Sequence, residues 1–344
     1  MKKLNSIIQK LGSNRLAWSM FALAAILLFN LIVYPEFFKI TILDGHLYGS
    51  LVDIFRNGAP LMVLAIGMTL VVATGGVDLS VGPVIAVTGA VATSLIGLEY
   101  GSTNTPLFLA VALALGVAAL CGFWNGILVS RIGIQPIVAT LILYVAGRGV
   151  AQMITNGKIM RIFYEPYFVF GSGYFLSLPV SLYIVLLVYI VAWLFTRRTS
   201  FGLYVESIGI NSEASRFTGI NEKNVKLLAY TLCGLCAGIA GIIISSNVKS
   251  ADGNNAGLWY ELDAILSVAL GGTSLSGGRF SFAGSIIGAL IIQSLTTTIY
   301  STGVPPQVIM LVKALVVFLV SLLQSENFRK MIGSLLNSRK GAIQ

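Results

Sequence analysis

The chain has 344 residues, of which 56% are hydrophobic and only 10% are charged, and its mean hydropathy is +0.88. Soluble domains average roughly 25% charged residues, so this composition excludes an ordinary soluble protein and predicts a protein solvated by lipid. The net charge of +9 comes from 22 basic residues scattered between long apolar runs, which argues against a nucleic-acid partner.

The first predicted element is a membrane-spanning helix near the N-terminus. Four basic residues, Lys2, Lys3, Lys10 and Arg15, precede an apolar run over residues 16–33. This arrangement is similar to a secretory signal, but the run is about long enough to span a bilayer and no clear A-x-A cleavage site follows it. We therefore expect a retained first helix.

Nine further apolar segments follow, each judged against the roughly 20 residues that a spanning helix needs. The ten predicted segments are residues 16–33, 51–73, 81–98, 107–130, 134–155, 178–196, 227–246, 260–272, 281–300 and 307–324. The eighth is short and is expected to be a half-helix or a re-entrant element. The sequence thus predicts an all-α polytopic membrane protein of about ten transmembrane helices, in a single domain over residues 1–344.

The distribution of basic residues predicts which side of the membrane each connection occupies, because cytoplasmic connections carry an excess of Lys and Arg. With the N-terminus inside, fifteen basic residues fall on the cytoplasmic side and four on the outer side, and three lie in or near helices. The outer four are Lys39, Lys158, Arg161 and Lys249. Both termini are therefore expected in the cytoplasm, with residues 1–15, 197–226 and 325–344 on that side.

Two connections are long enough to do more than connect, residues 156–177 on the outer side and 197–226 on the inner side. Neither is long enough for a catalytic domain, and no G-x-x-x-x-G-K-[ST] phosphate loop occurs in the sequence. We expect no catalytic residue, metal site or cofactor on this chain. Any ATPase must be a separate subunit.

The inner connection is predicted to contain a short amphipathic helix with its own stop signals. Asn211 or Ser212 can accept the first unpaired backbone N–H groups. Glu213 suits the positive first turn, Arg216 lies near the end, and Gly219 can adopt a left-handed conformation. Such a helix can transmit motion from a motor subunit; the alternative is an interfacial helix resting on lipid headgroups. The predicted coupling residues are Glu206, Ser207, Asn211, Glu213, Arg216 and Gly219.

A short internal similarity links two glycine-containing loops. TGGVDLSVG at residues 74–82 and LGGTSLSGG at 270–278 agree at five of nine positions. Transporters are often built from repeats whose Gly-broken segments meet near the substrate path. The predicted gating positions are Gly75, Gly76, Asp78, Gly271 and Gly272. Asp78 stands where it can form an ion or proton site or cap the following helix, and capping is favoured.

Polar side chains inside apolar helices are the candidates for a substrate path, because they are costly in lipid and usually face the bundle interior. Trp124 and Asn125 supply an aromatic face and an amide, which suit stacking and hydrogen bonding with a polyhydroxylated ring. Helix packing is the competing interpretation, given the small-x-x-x-small spacing of GFWNG at 122–126. The predicted path residues are Asn57, Trp124, Asn125, Gln135 and Gln293.

Two further pairs of residues carry chemistry in other proteins. Glu261 and Asp263 stand at the outer end of the eighth segment, where acids stabilise a helix dipole. Paired carboxylates also do general acid–base work, but no other side chain here completes a hydrolytic site. Cys233 and Cys236 form a C-x-x-C without a second ligand pair, so we interpret them as small packing residues.

A series of motifs occurs in one order over residues 50–325. They are TGGVDLSVG at 74–82, NGILV at 125–129, ATL at 139–141, RG at 148–149, IGINSEA at 208–214, TGI at 218–220 and LGGTSLSGGR at 270–279. This ensemble resembles the ribose-type sugar permeases of ABC transporters. The segments at 251–265 and 288–293 look most like the galactofuranose permease branch of that family.

The resemblance implies the ABC importer permease fold and a place in the bacterial inner membrane. It implies alternating access for a monosaccharide, galactofuranose before others such as ribose or galactose. The implied partners are a second permease chain, identical or different, ATP-binding subunits that hold ATP and Mg²⁺, and a periplasmic or lipid-anchored sugar-binding protein. Residues 207–218 match the family's coupling region. The alternatives are an ion-coupled secondary transporter that uses Asp78 and an integral-membrane enzyme.

Overall fold

The computed structural model describes residues 15–43, 45–97, 105–303 and 306–324. These residues form thirteen α-helices and three short antiparallel strand pairs. The helices are α1 (Arg15–Val33), α2 (Ser50–Ala73), α3 (Val81–Ile96), α4 (Leu107–Ile127), α5 (Pro136–Thr155), α6 (Glu165–Ser172), α7 (Val180–Arg198), α8 (Phe201–Ile210), α9 (Ser212–Phe217), α10 (Glu222–Val248), α11 (Tyr260–Leu270), α12 (Phe282–Ser301) and α13 (Pro306–Gln324). The strands are β1 (Thr41–Leu43), β2 (His46–Tyr48), β3 (Met160–Arg161), β4 (Tyr174–Phe175), β5 (Leu178–Pro179) and β6 (Ser250–Ala251).

Seven helices of the described chain are long and apolar enough to cross a membrane, namely α1, α2, α4, α5, α7, α10 and α12. The other three predicted segments are also helical, but α3 has 16 residues, α11 has 11, and α13 contains a shorter apolar stretch, Met310–Leu319. At 1.5 Å per residue, α3 and α11 reach about 24 and 16 Å, less than the ~30 Å hydrocarbon core. The helical polytopic fold is confirmed, whereas ten full-length spans are not.

Burial separates the helices into a central and a peripheral group. Within their most apolar stretches α2 is 83% buried and α10 and α12 are each 61% buried, whereas α1, α4, α5 and α7 are between 11% and 22% buried. The peripheral helices expose apolar surface, as lipid contact requires. The core joins Met68 of α2 to Tyr230 and Cys233 of α10 and to Ile292 of α12.

Small residues allow the central helices to cross at short range, as their spacing predicts. A Cβ at Gly234 of α10 would lie 2.8 Å from Gly122 Cα of α4, so only glycine permits this crossing. Cys236 packs in the same way against Gly67 of α2. Cys233 and Cys236 are both buried, in agreement with their predicted packing role.

The bundle has two ends, and connections predicted for one side of the membrane meet at one end. The first end carries residues 74–80, 128–135, 199–221 and 271–281, and the second end carries 34–49, 156–179 and 249–259. At the second end β3 pairs with β6, and Leu47 N–H donates to Ser177 O at 3.2 Å. At the first end Gly278 N–H donates to Ala73 O at 2.9 Å. These contacts support the predicted alternation of connections.

Two connections turn back into the bundle, so α3 and α11 begin inside it. Tyr230 Oη donates to Val77 O at 3.3 Å, and Tyr230 lies eight residues, about 12 Å, beyond the start of α10. A Cβ at Gly82 would lie 2.6 Å from Gly257 O, so the start of α3 meets the segment that leads into α11. The eighth predicted segment is therefore a half-helix, α11. The chain enters it through residues 249–259, which we call the re-entrant segment.

Candidate functional site

At the first end, α8 and α9 form a bent segment. Asn211 breaks the chain between them and caps α9, because its Oδ1 accepts a hydrogen bond from Ala214 N–H at 2.9 Å. Glu213 lies in the first turn, Arg216 in the last, and Gly219 follows with a φ of +86°. The predicted stop signals are all in place, and they bound a helix of six residues that follows the separate helix α8.

The tip of this segment is exposed and mixes charge with one aromatic ring. Glu213 and Arg216 are exposed, and Phe217, the last residue of α9, has 89% of its surface exposed. Glu206 and Ser207 are half-buried on α8 instead, farther from the tip. An exposed aromatic ring with flanking charges is typical of a protein contact.

The end of α8 packs against both glycine loops. A Cβ at Gly209 would lie 1.9 Å from Ala73 O, at the end of α2, and 2.2 Å from Gly278 N. A Cβ at Gly277 would lie 3.0 Å from Gly75 N. We call this backbone contact of Ala73, Gly75, Gly209, Gly277 and Gly278 the glycine junction. Because no side chain intervenes, a displacement of α8 acts directly on both loops.

Both loops begin with the same helix-terminating turn. Gly75 and Gly272 have φ angles of +80° and +87°, and the next N–H group donates to the carbonyl oxygen five residues earlier, at 3.1 Å after α2 and 3.2 Å after α11. This is a Schellman motif in each case. The structural register pairs Gly75 with Gly272, one residue away from the sequence match, which pairs Gly75 with Gly271. Gly76 and Gly271 are instead required by close packing: a Cβ at Gly76 would lie 2.5 Å from Tyr230 Oη, and a Cβ at Gly271 would lie 2.4 Å from the carbonyl carbon of Gly284.

Asp78 folds the loop that precedes α3 without capping the helix. The N-cap is Ser80, whose side chain makes no capping bond. Asp78 Oδ1 accepts from Ser80 N–H at 2.9 Å, from Ser80 Oγ at 2.7 Å and from Asn125 Nδ2 at 3.3 Å. The predicted cap is therefore wrong in its detail: the carboxylate closes an Asx turn and ties the loop to α4. Asp78 Oδ2 has no hydrogen-bond partner among the described residues.

The predicted path residues do not form one site. Asn125 joins Asp78, whereas Asn57 lies near the second end, where Asn247 Nδ2 donates to its Oδ1 at 3.5 Å. Gln293 packs beside Gly58, one residue from Asn57, and bonds Thr297 at 3.4 Å. The last two path candidates lie elsewhere, Trp124 with half its surface exposed and Gln135 as the residue before α5 at the first end.

A polar clamp on the re-entrant segment was missed by sequence reasoning. Arg148 Nη1 of α5 donates to Ala256 O at 2.6 Å, and Gln152 Nε2 donates to Asn254 Oδ1 at 2.6 Å. Burial alone would raise the pKa of Asp252 in this segment, but hydrogen bonds from Asn255 and from two backbone N–H groups hold that pKa below its ordinary value. The available signal was an arginine inside an apolar helix, which marks a functional or paired position.

The glycine junction was missed in part. Gly75 was a predicted gating residue, but Gly209, Gly277 and Gly278 were not. They were visible only as glycines within the motifs at 208–214 and 270–279, and their contact joins segments far apart in the chain. Within the described residues no group of three or more His, Cys, Asp or Glu side chains comes together as a metal site.

Comparison with known proteins relates this arrangement to transport proteins. The family described as the branched-chain amino acid transport system / permease component matches residues 50–321. The galactofuranose transporter permease protein YtfT of Escherichia coli K12 is 49% identical over 90% of each chain. The ribose import permease RbsC of the same strain is 37% identical over 90% of this chain and 93% of its own. The fructose import permease FruF of Bifidobacterium longum is 36% identical over 97% of this chain and 94% of its own.

No solved structure matches the chain. The family match covers the core helices α2 to α12, both glycine loops and the α8–α9 segment. The resemblance to ribose-type sugar permeases that the motifs predict is confirmed by these relatives. The chain belongs to this family of membrane-embedded transport permeases, which act as subunits of ABC transporters and carry no ATPase site of their own.

Proposed function

We propose that the chain is the permease subunit of a bacterial importer for a monosaccharide, galactofuranose first, with ribose and fructose as the nearest alternatives. The sugar crosses unmodified by alternating access, driven by separate ATP-binding subunits. The observation that carries the proposal is the glycine junction, because it connects an exposed segment to the two loops from which α3 and α12 start. The identity to a galactofuranose permease supports the choice of sugar.

The mechanism follows from the rigidity of this connection. A partner that grips α9 through Glu213, Arg216 and Phe217 displaces α8, since only Asn211 separates the two helices. The end of α8 contacts Ala73 and the second glycine loop without side chains to absorb the movement. The loops then carry the displacement to α3 and α12, whose tilting opens one face of the path and closes the other.

The assembly and sidedness belong to the same proposal. The first end faces the cytoplasm, because more basic residues lie in its connections and the helix ends beside them than at the second end. They are Arg131, Arg197, Arg198, Arg216, Lys223, Lys226 and Arg279, against Lys39, Lys158, Arg161 and Lys249. On this arrangement α3, α11 and α13 complete ten crossings, with α11 and its re-entrant segment counting as one. Two permease chains, identical or different, pair in the inner membrane, ATP-binding subunits with ATP and Mg²⁺ bind the first end, and a sugar-binding protein delivers substrate to the second end.

The test separates sugar uptake from ATP hydrolysis in the assembled transporter. Glu213→Ala, Arg216→Ala and Phe217→Ala are each expected to lower uptake of the sugar about tenfold or more, because exposed anchor residues of an interface carry most of its energy. ATP hydrolysis should persist without uptake. The matched control is Arg198→Ala, which removes an exposed arginine at the same end but outside α8 and α9.

Substrate choice is measured in a strain that lacks its own uptake systems, with galactofuranose, ribose and fructose supplied in turn. The proposal predicts import of galactofuranose at the highest rate. Unchanged uptake in all three α9 variants would refute the coupling role, and ATP hydrolysis by the purified chain alone would refute the division of labour.

A further inference from the structure

A cavity of about 670 Å³ lies between α11, α12 and α13, apart from the glycine junction. Its wall combines apolar side chains, Phe318 among them, with two aromatic side chains that carry a polar group, Trp259 and Tyr300, the hydroxyl of Thr296, and two charged groups, Asp263 and Lys313. None of the path residues predicted from the sequence lines it. A mostly apolar cavity of this size with a few polar groups is the usual form of a small-molecule site.

The charged groups form an ion pair on helices that are otherwise apolar. Lys313 Nζ lies 2.7 Å from Asp263 Oδ2, and the two side chains are 19% and 18% exposed. Lys313 stands seven residues, about 10 Å, beyond the start of α13, and Asp263 follows the start of α11 inside the bundle. Charged groups at this depth are costly against lipid and face water or protein. The cavity therefore opens to an aqueous or protein-lined space.

The backbone at the cavity wall is strained. Trp259 has a φ of +68°, a left-handed conformation that is unfavourable for a large side chain, and it immediately precedes α11. Such strain persists where it positions a functional group. Trp259 and Tyr300 keep 44% and 61% of their surface exposed. Both rings therefore have free area at the cavity.

We infer that this cavity is a monosaccharide-binding subsite on the transport path. A sugar ring offers an apolar face that stacks on indole or phenol rings, and hydroxyl groups that bond to carboxylate and ammonium groups. The half-helix α11 brings Trp259 and Asp263 to the same wall, which is the arrangement by which discontinuous helices build substrate sites. This inference rests on the proposed function and names where the sugar binds.

Cysteine labelling of membranes that contain the assembled transporter tests the inference. Thr296→Cys places a small thiol in the cavity, and the parent chain measures background from its own three cysteines. A water-soluble thiol reagent should label Thr296→Cys, and free ribose or galactose at high concentration should slow that labelling at least about threefold. Leu176→Cys, exposed at the second end and outside the cavity, should be labelled at one rate with or without sugar.

A second measurement separates recognition from folding. The double variant Asp263→Asn, Lys313→Gln removes both charges together and leaves neutral hydrogen-bonding groups, so no lone charge is stranded. Combined with Trp259→Leu, this double variant should abolish sugar protection of Thr296→Cys and lower maximal uptake about tenfold or more, because it removes both the charged hydrogen-bonding groups and the stacking ring. Trp259→Phe should restore most of the protection. Protein abundance and melting temperature should stay near the parental values.

The outcomes distinguish this inference from the proposed function. If Thr296→Cys is not labelled, lipid or a second chain covers the cavity, and if it is labelled without protection by any sugar, no sugar binds there. Either result overturns the subsite while sugar import by the parental transporter leaves the proposed function standing. Loss of import in the parental transporter would instead overturn the proposed function.

Discussion

A single methyl group at Gly209 is expected to disrupt the glycine junction. The Cβ of Gly209→Ala would lie 1.9 Å from Ala73 O, and because the obstructing atom belongs to the backbone, the helices must separate. Overpacking of this kind typically costs about 1–3 kcal/mol. We expect a lower melting temperature in detergent and a larger loss of uptake than the loss of protein explains.

Gly149→Ala on α5 is the matched control for that substitution. A Cβ there meets nothing within 4 Å, so the variant should be as stable as the parent or up to about 1 kcal/mol more stable. Parental stability and parental uptake in Gly209→Ala would contradict the close backbone contact on which the coupling mechanism depends.

Asp78 provides a second prediction for a single residue. Its Oδ1 makes the hydrogen bonds to Ser80 and Asn125, whereas Oδ2 makes none among the described residues. Asp78→Asn keeps the oxygen that is used, so uptake should stay within about twofold of the parent, whereas Asp78→Ala should cost roughly 1–3 kcal/mol of stability by leaving buried donors unpaired. Uptake is measured with and without a protonophore at constant ATP.

The same uptake measurement distinguishes an ATP-driven importer from the alternative, an ion-coupled secondary transporter. An ion or proton site needs the carboxylate charge, so Asp78→Asn would then abolish uptake as completely as Asp78→Ala. Sensitivity of the parental protein to the protonophore at constant ATP would point the same way and against an ATP-driven importer.

Among the helices, α9 depends on its cap because it has only six residues. Asn211→Ala removes the bond from Ala214 N–H and should destabilise the helix by about 1 kcal/mol. Faster hydrogen exchange over residues 212–217 and weaker coupling of ATP hydrolysis to uptake are expected. Asn211→Asp and Asn211→Ser should restore both, because each offers a capping oxygen. Equal exchange in Asn211→Ala and the parent would show that the cap is dispensable.

Local signals predicted this element well, since a cap, a dipole charge and a terminating glycine act within one or two turns. Local signals did not predict which path residues face the interior, because that depends on the face of the helix a residue occupies and on where the helix begins. Asn125 is buried, so Trp124, about 100° around α4, points outward. Gln135 precedes Pro136 and therefore stands before α5. The residue types were well chosen, but a hydropathy pattern does not fix their faces.

For the whole molecule, the sequence predicts the order of the helices, and which connections share an end of the bundle, better than it predicts how deep the helices lie. A hydropathy window does not reveal that α3 and α11 begin inside the bundle, because the preceding segments are held by distant partners, Tyr230 for one and Arg148 for the other. The repeat was found from its glycines, yet its register was off by one residue. Only the backbone bonds of the two Schellman turns show which glycine is left-handed in each loop.

The number of crossings gives the last prediction, at the level of the membrane topology. Lys249→Cys and Ser276→Cys stand in exposed positions on the two sides of α11. If α11 and its re-entrant segment complete one crossing, a membrane-impermeant thiol reagent should label Lys249→Cys in intact spheroplasts and Ser276→Cys only in inverted vesicles. Thr218→Cys beside α9 should follow Ser276→Cys, because both belong to the basic first end. If the reagent labels Lys249→Cys and Ser276→Cys from the same side of the membrane, α11 does not complete a crossing. The orientation of α12 and α13 is then opposite to the one proposed.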